Sequence, residues 1–218
     1  MTPPLSAQFD AVVFDFGGVI IDAPFDAFTA LEHRVGVPAG AIRAINARNP
    51  DDNAWARIER GDVDAEGFVA LFEAEAADVG VNLPAREVLD IVTGASSARH
   101  VARPVMLELL GELSSAGLRL GLITNNIRPL GESGDVGWVF ETFDTVVESC
   151  LVGRRKPEPA IYRLALDALG VPAERAVMLD DLGINLKPAR ALGMATIKVG
   201  DAERAAGELR QLLGWSTG

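Results

Sequence analysis

Five short runs of mostly branched aliphatic residues frame this chain: 11–15 (AVVFD), 118–123 (LRLGLI), 144–148 (DTVVE), 176–180 (AVMLD) and 195–199 (ATIKV). None alternates strictly between apolar and polar, which is the pattern of strands covered on both faces, as in a parallel sheet. Helical patterns separate the last four. Over 157–169 the spacing places Ile161, Leu164 and Ala168 on one stripe, with Gly170 as the stop, and 101–116 and 202–214 read similarly. Strands alternating with helices predict βαβ units and an α/β fold with a doubly wound, Rossmann-like parallel sheet.

Residues 24–100 break that rhythm. They hold no comparable β-rich run, only helical pieces near 24–35, 38–48, 51–60, 64–79 and 84–93, punctuated by Gly36, Pro38, Pro50, Gly61 and Pro84. This is too long for an ordinary strand-to-helix connection. It reads as an inserted helical domain with linkers near 21–23 and 94–101 (GASSARHV). There is no internal repeat and no low-complexity tract.

In open α/β sheets ligands bind beyond the carboxyl ends of the strands. The first run ends at Asp15, the second is followed by Thr124-Asn125-Asn126, the fourth ends in Asp180-Asp181, and Lys156-Pro157 follows the third. An ionised carboxylate at the end of a buried strand is costly unless something uses or neutralises it. Two acidic loci meeting in one crevice repel unless a cation lies between them, and all-oxygen ligation suits Mg²⁺. A lysine and a strand-end hydroxyl beside such a cation suit a phosphate, and a carboxylate there can act as a nucleophile. Lysine at 156 is itself informative. The chain has three lysines, at 156, 187 and 198, among twenty basic residues, so a compact point charge stands where arginine is otherwise used. Lys187 and Lys198 read as surface charges.

The net charge is −11, from 31 acids against 20 bases, which argues against nucleic acid and against an anionic membrane surface as partners. The single cysteine, Cys150, allows no internal disulfide, and the start, MTPPLSAQFDA, has neither the basic residue nor the apolar core of a signal peptide. No uninterrupted apolar run approaches the ~20 residues of a membrane span. The expectation is a soluble cytoplasmic protein, monomeric or homodimeric.

Taken in order, strand-Asp15, strand-Thr124-Asn125, Lys156-Pro157 and strand-Asp180-Asp181-x-x-x-Asn185 resemble the four motifs of the haloacid dehalogenase superfamily of hydrolases. The stretches 178–199 (MLDDLGINLKPARALGMATIKV) and 146–162 (VVESCLVGRRKPEPAIY) resemble its branch that contains the phosphatase domain of soluble epoxide hydrolase. The resemblance implies a core of 1–22 and 101–218 and a C1-type helical cap at 23–100. It implies Asp15 as nucleophile and Mg²⁺ ligand, the backbone carbonyl of Gly17 as a further ligand, and Asp181 as the direct acidic ligand, with Asp180 acting through a water or orienting Lys156. It also implies Thr124 and the backbone amide of Asn125 as holders of the phosphoryl oxygens beside the Gly17-Gly18 turn, with Lys156 neutralising charge. The substrate would be a small phosphorylated metabolite.

One position departs from the pattern. Most phosphatases of the superfamily carry Asp-x-Asp, the second acid serving as proton carrier; here that position is Gly17. A 2-haloacid dehalogenase would have tyrosine there and need no metal, which the Asp180-Asp181 pair opposes. A phosphonoacetaldehyde hydrolase would need a cap lysine, and no lysine precedes Lys156. Asp-x-Gly fits bacterial enzymes resembling sugar-1-phosphate phosphatases. Without a general acid, turnover should favour good leaving groups: sugar-1-phosphates, acyl phosphates or aryl phosphates. Asp22 could supply a base, though a loop-capping acid is the simpler reading. A catalytically weakened domain that binds a phosphorylated ligand or a partner protein is the alternative. Asn185 reads as supporting residue or helix-start amide, Trp55 with Arg57 and Arg60 as an amphipathic cap helix, and His33 and His100 as ordinary polar residues.

Overall fold

In β1 (Ala11–Phe14) successive side chains point to opposite faces, so Val12 and Phe14 enter one apolar layer while Ala11 and Val13 enter the other. Both layers are filled, which is why the run is apolar throughout. The computed structural model describes residues 8–93, 101–132 and 136–215. After β1 come α1 (Phe25–Val35), α2 (Ala41–Asn46), α3 (Ala54–Glu59), α4 (Ala65–Asp78) and α5 (Ala85–Thr93). There follow α6 (Pro104–Ser115), β2 (Arg119–Thr124), α7 (Trp138–Thr142), β3 (Thr145–Glu148), α8 (Ser149–Val152), α9 (Pro159–Leu169), β4 (Ala176–Asp180), α10 (Gly183–Ala191), β5 (Ala195–Lys198) and α11 (Ala202–Leu212).

The five strands form one parallel sheet in the order β3-β2-β1-β4-β5, the doubly wound arrangement expected from the alternating pattern. The layer under Val12 and Phe14 is completed by Met106, Leu109 and Leu113 of α6 and by Ala205 and Leu209 of α11. The layer under Ala11 and Val13 is completed by α9 and α10, through Ile161, Ala165, Leu169 and Leu186. Trp215 packs against the first of these layers. Among the described residues no helix is long and apolar enough to cross a membrane.

Helix α9 differs in phase from the sequence expectation. Its buried face is Ile161, Tyr162, Ala165, Leu166 and Leu169, while Leu164 and Ala168 point outward. The cause is Tyr162: its ring is fully buried and its hydroxyl donates to the carbonyl of Asn185 at 2.6 Å, so a residue with a polar tip belongs to the apolar stripe.

Helices α1 to α5 pack around an apolar cluster of their own, with Leu31, Ile42, Ile45, Phe68, Phe72 and Val88 around Trp55. The Trp55 and Phe68 rings meet edge to face, with centroids 5.1 Å apart. Asn53 caps α3 by accepting from Ala56 N–H, and Asp64 caps α4 by accepting from Gly67 N–H, each at 2.8 Å. Trp55 is therefore a packing residue. The stretch 94–100, which holds most of the expected second linker and His100, lies outside the described residues.

Candidate active site

A doubly wound sheet opens a crevice where its strand order reverses. Here that point is the end of β1, between β2 and β4. Asp15 follows β1 directly, and its backbone N–H donates to Leu179 O at 2.9 Å, so the ladder carries it to the level of Asp180. Thr124 closes β2 in the same crevice and is buried.

Lys156 is not on a strand. Its backbone is held from the side by Asn125, whose Oδ1 accepts from Lys156 N–H at 2.8 Å and whose Nδ2 donates to Lys156 O at 2.9 Å. The clamp sends the side chain inward. The ammonium, 1% exposed, lies 2.7 Å from Asp15 Oδ1 and 2.9 Å from Asp180 Oδ2. Burial pulls the Lys156 pKa down, but Asp15 and Asp180 outweigh it and the net shift is upward.

The two acids of β4 do different things. Asp180 is wholly buried and its oxygens are taken up: Oδ2 accepts from Lys156, Oδ1 from Leu182 N–H at 2.8 Å, and Asn185 Nδ2 lies 3.0 and 3.1 Å from the two. Asp181 is half-buried and lies over the backbone of Gly18; a Cβ on Gly18 would come 2.4 Å from Asp181 Oδ2. Gly18 also has φ +82, so two independent constraints require glycine there. Gly17 has neither: its φ is not positive, and a Cβ would meet nothing within 4 Å. No steric demand of the fold requires glycine at 17.

Asp15, Asp180 and Asp181 each offer a carboxylate oxygen, all within 4.8 Å of one another. Burial raises the Asp15 pKa, Lys156 opposes it, and Asp180 and Asp181 add to the rise. Asp181 is pushed up to about 6 by burial and then by Asp180. Both recorded partners of Asp15, Phe16 N–H at 2.6 Å and Lys156, fall on Oδ1, leaving Oδ2 without a hydrogen bond among the described residues.

Asp22 does not join this group. Its side chain is 85% exposed and accepts from Arg103 Nε at 3.0 Å. Arg103 uses its other arm to donate to Gly18 O at 2.9 Å, pinning the turn from outside. His33, Lys187 and Lys198 are exposed, and Lys198 pairs with Asp180 in register at the end of β5. Three residues with no sequence signal border the site: Arg103, Arg155 and Glu59, whose Oε2 accepts from Arg155 Nε at 2.6 Å and lies 3.2 Å from Asn125 Nδ2.

Residues 9–193 match the family model described as haloacid dehalogenase-like hydrolase. The chain is 34% identical over 209 residues to mouse acyl-CoA dehydrogenase family member 10, covering 95% of this chain and 19% of that protein. It is 33% identical over 217 residues to pig bifunctional epoxide hydrolase 2, covering 94% and 39%. It thus spans from about a fifth to two fifths of the length of these relatives. Over its whole length, the sesquiterpene phosphatase astK of Aspergillus oryzae is 28% identical, with 96% of this chain matched. Among solved structures, a HAD-like family hydrolase from Porphyromonas gingivalis superposes with a TM-score of 0.68 at 21% identity, covering 96% of this chain and 100% of that one. A Bacteroides thetaiotaomicron HAD family enzyme, crystallised with magnesium and inorganic phosphate, gives a TM-score of 0.57 at 19% identity, covering 88% and 96%.

Proposed function

The chain belongs to the haloacid dehalogenase-like hydrolases, and from that premise we propose a Mg²⁺-dependent phosphatase of small phosphorylated metabolites working through an aspartyl-phosphate on Asp15. The observation that carries this reading is the buried Lys156 ammonium held between Asp15 and Asp180, with Asp181 facing the same space. A phosphatase relative and a neighbour crystallised with magnesium and phosphate support it.

The donor set fits magnesium. It is all oxygen, with one carboxylate oxygen from each of Asp15, Asp180 and Asp181 within 4.8 Å of the others; burial first and then the neighbouring acids raise the pKa values of Asp15 and Asp181, a penalty that a cation would relieve. Asp15, Asp181 and the carbonyl of Gly17 would hold the ion, whose charge would offset that of the transferring phosphoryl group. With its oxygens engaged by Lys156, Leu182 and Asn185, Asp180 is better suited to orienting Lys156 than to direct ligation.

An oxygen of Asp15 attacks phosphorus and the ester P–O bond breaks. The leaving oxygen takes its proton from solvent, because no side chain at Gly17 supplies one. Water then attacks phosphorus and loses a proton to solvent, the bond to Asp15 breaks, and phosphate leaves with the carboxylate restored. Thr124 and the Asn125 backbone amide receive the phosphoryl oxygens, and Lys156 neutralises charge on Asp15. Solvent protonation favours good leaving groups, sugar-1-phosphates among them. The reading also takes helices α1 to α5 as the cap, 23–100 in extent, and the cytoplasm as the compartment, where Cys150 stays a thiol.

A panel of phosphate esters assayed with and without Mg²⁺ tests this, wild type against Asp15→Asn. Mg²⁺-dependent release of phosphate by the wild type alone is expected. No turnover on any ester would favour the weakened phospho-ligand or partner-binding domain that Gly17 leaves open. Chloride release from a 2-haloacid without metal would favour a dehalogenase.

A further inference from the structure

The end of α3 reaches the clamp that holds Lys156. Glu59, its last residue, presents Oε2 to Asn125 Nδ2 at 3.2 Å and to Arg155 Nε at 2.6 Å, and both charged side chains are only 15% exposed. Beside it Arg60 donates to Glu158 Oε1 at 3.1 Å, and Arg155 donates back to Pro50 O at 3.1 Å. Gly61 comes so close to α8 that a Cβ would lie 2.7 Å from the Cys150 carbonyl oxygen. Two ion pairs of opposite sense, Glu59 with Arg155 and Arg60 with Glu158, therefore flank Lys156 and join the inserted helices to the sheet body.

The two pairs are not equivalent, because Glu59 also touches Asn125. The Asn125 side-chain amide is committed at both ends: Oδ1 accepts from Lys156 N–H, and Nδ2 serves Lys156 O and Glu59. A flip of that amide would set Oδ1 against the Lys156 carbonyl and the Glu59 carboxylate, and Nδ2 against the Lys156 N–H. Glu59 adds a charged acceptor that favours the working orientation.

We propose that Glu59 is a positioning residue for Lys156, acting through Asn125, so that the lysine is fully ordered only when α3 is seated on the sheet body. Misplacement of a catalytic group by ~1 Å can cost on the order of 10²-fold in rate. Lys156 is held at its backbone by one side chain, so the seating of that side chain is where such a loss would arise. The kinetic part of the proposal rests on the phosphatase reading; the structural part does not.

The test measures hydrogen exchange of the Lys156 backbone amide by NMR, together with kcat and KM for p-nitrophenyl phosphate at saturating Mg²⁺. Glu59→Ala is expected to speed Lys156 amide exchange by about tenfold or more and to lower kcat by about as much, with KM within about threefold. Glu59→Gln keeps an acceptor for Asn125 but loses the charge, and should fall between wild type and Glu59→Ala in both. Arg60→Ala breaks the neighbouring ion pair without touching Asn125 and should leave Lys156 exchange within about twofold. If Glu59→Ala does not fold, Glu59→Asp, which withdraws the carboxylate by one methylene, carries the same expectation. Unchanged exchange at Lys156 in Glu59→Ala and Glu59→Asp, or an equal rise in Arg60→Ala, would overturn the proposal. Absence of wild-type turnover would count against the phosphatase reading alone, and the exchange comparison would still decide the role of Glu59.

Discussion

Installing an aspartate at position 17 would supply the proton carrier that the proposed mechanism leaves to solvent, and the structure has room for it. A Cβ at Gly17 meets nothing within 4 Å and φ is not positive, so the backbone accepts a side chain without strain. General acid–base catalysis is typically worth ~10²–10⁴-fold, or about 3–6 kcal/mol of barrier at about 1.4 kcal/mol per decade. The gain should fall on esters whose leaving oxygen needs a proton. We expect Gly17→Asp to raise kcat/KM for a simple alkyl phosphate by ~10²-fold or more, and that for p-nitrophenyl phosphate by less than about threefold. kcat/KM is the right quantity because it reports the steps up to the first irreversible one, whereas faster hydrolysis of the aspartyl-phosphate would raise kcat for both. The substitution also has a cost. A fourth carboxylate adds repulsion of about 3 kcal/mol for each ionised neighbour at a separation of about 6 Å and an effective dielectric of ~20. Loss of glycine freedom in the unfolded chain returns only ~0.4–1 kcal/mol. The metal-free variant should therefore melt below the wild type, and the kinetics belong at saturating Mg²⁺. A folded variant with normal aryl activity and unchanged alkyl-phosphate turnover would refute the proton-carrier argument.

Gly18→Ala, unlike Gly17→Asp, meets a steric block: the αL backbone costs ~1–2 kcal/mol, and the added Cβ displaces Asp181, so calorimetry should show both a lower Tm and weaker Mg²⁺ binding. Lys156→Arg should lower kcat/KM by ~10²-fold or more, since a planar guanidinium does not fit a site that buries a point charge between Asp15 and Asp180; activity within about threefold of wild type would count against it. The Asp181 pKa is raised to about 6 from an ordinary 3.8. Its contribution to metal-free stability is thus fully present below the ordinary value and lost as pH rises through about 6. Mg²⁺ needs Asp15 and Asp181 ionised, and Asp15 is raised further, to about 7, so titration calorimetry should show affinity falling as pH drops from about 7 and more steeply below about 6; a flat profile between pH 7 and 5 would contradict this.

What was legible in the sequence was what the sheet itself enforces. A parallel ladder levels the ends of neighbouring strands, so once 11–15, 118–123 and 176–180 read as strands, Asp15, Thr124 and Asp180 had to meet at one edge. Gly18 was readable as a tight turn, yet its closer reason, the Asp181 carboxylate resting on its backbone, comes from a residue 163 positions away and leaves no local trace. The same holds for α9, where only the reach of the Tyr162 hydroxyl to Asn185 shows which face is buried. Residues 24–100 resisted most, because helical spacing gives each helix a buried face but no address on the sheet. Glu59 is one carboxylate among 31 acids until α3 is docked, and only then does it border the Asn125 clamp. Asp15, Lys156, Asp180 and Asp181, to which the proposed function assigns the chemistry, sit at strand ends or on the loop after α8, within the regular part of the fold. The residues that tie the inserted helices to them depend on how two separately packed clusters meet. Substitutions at strand ends should consequently affect the chemistry on every substrate, whereas those at the end of α3 should act through the placement of Lys156.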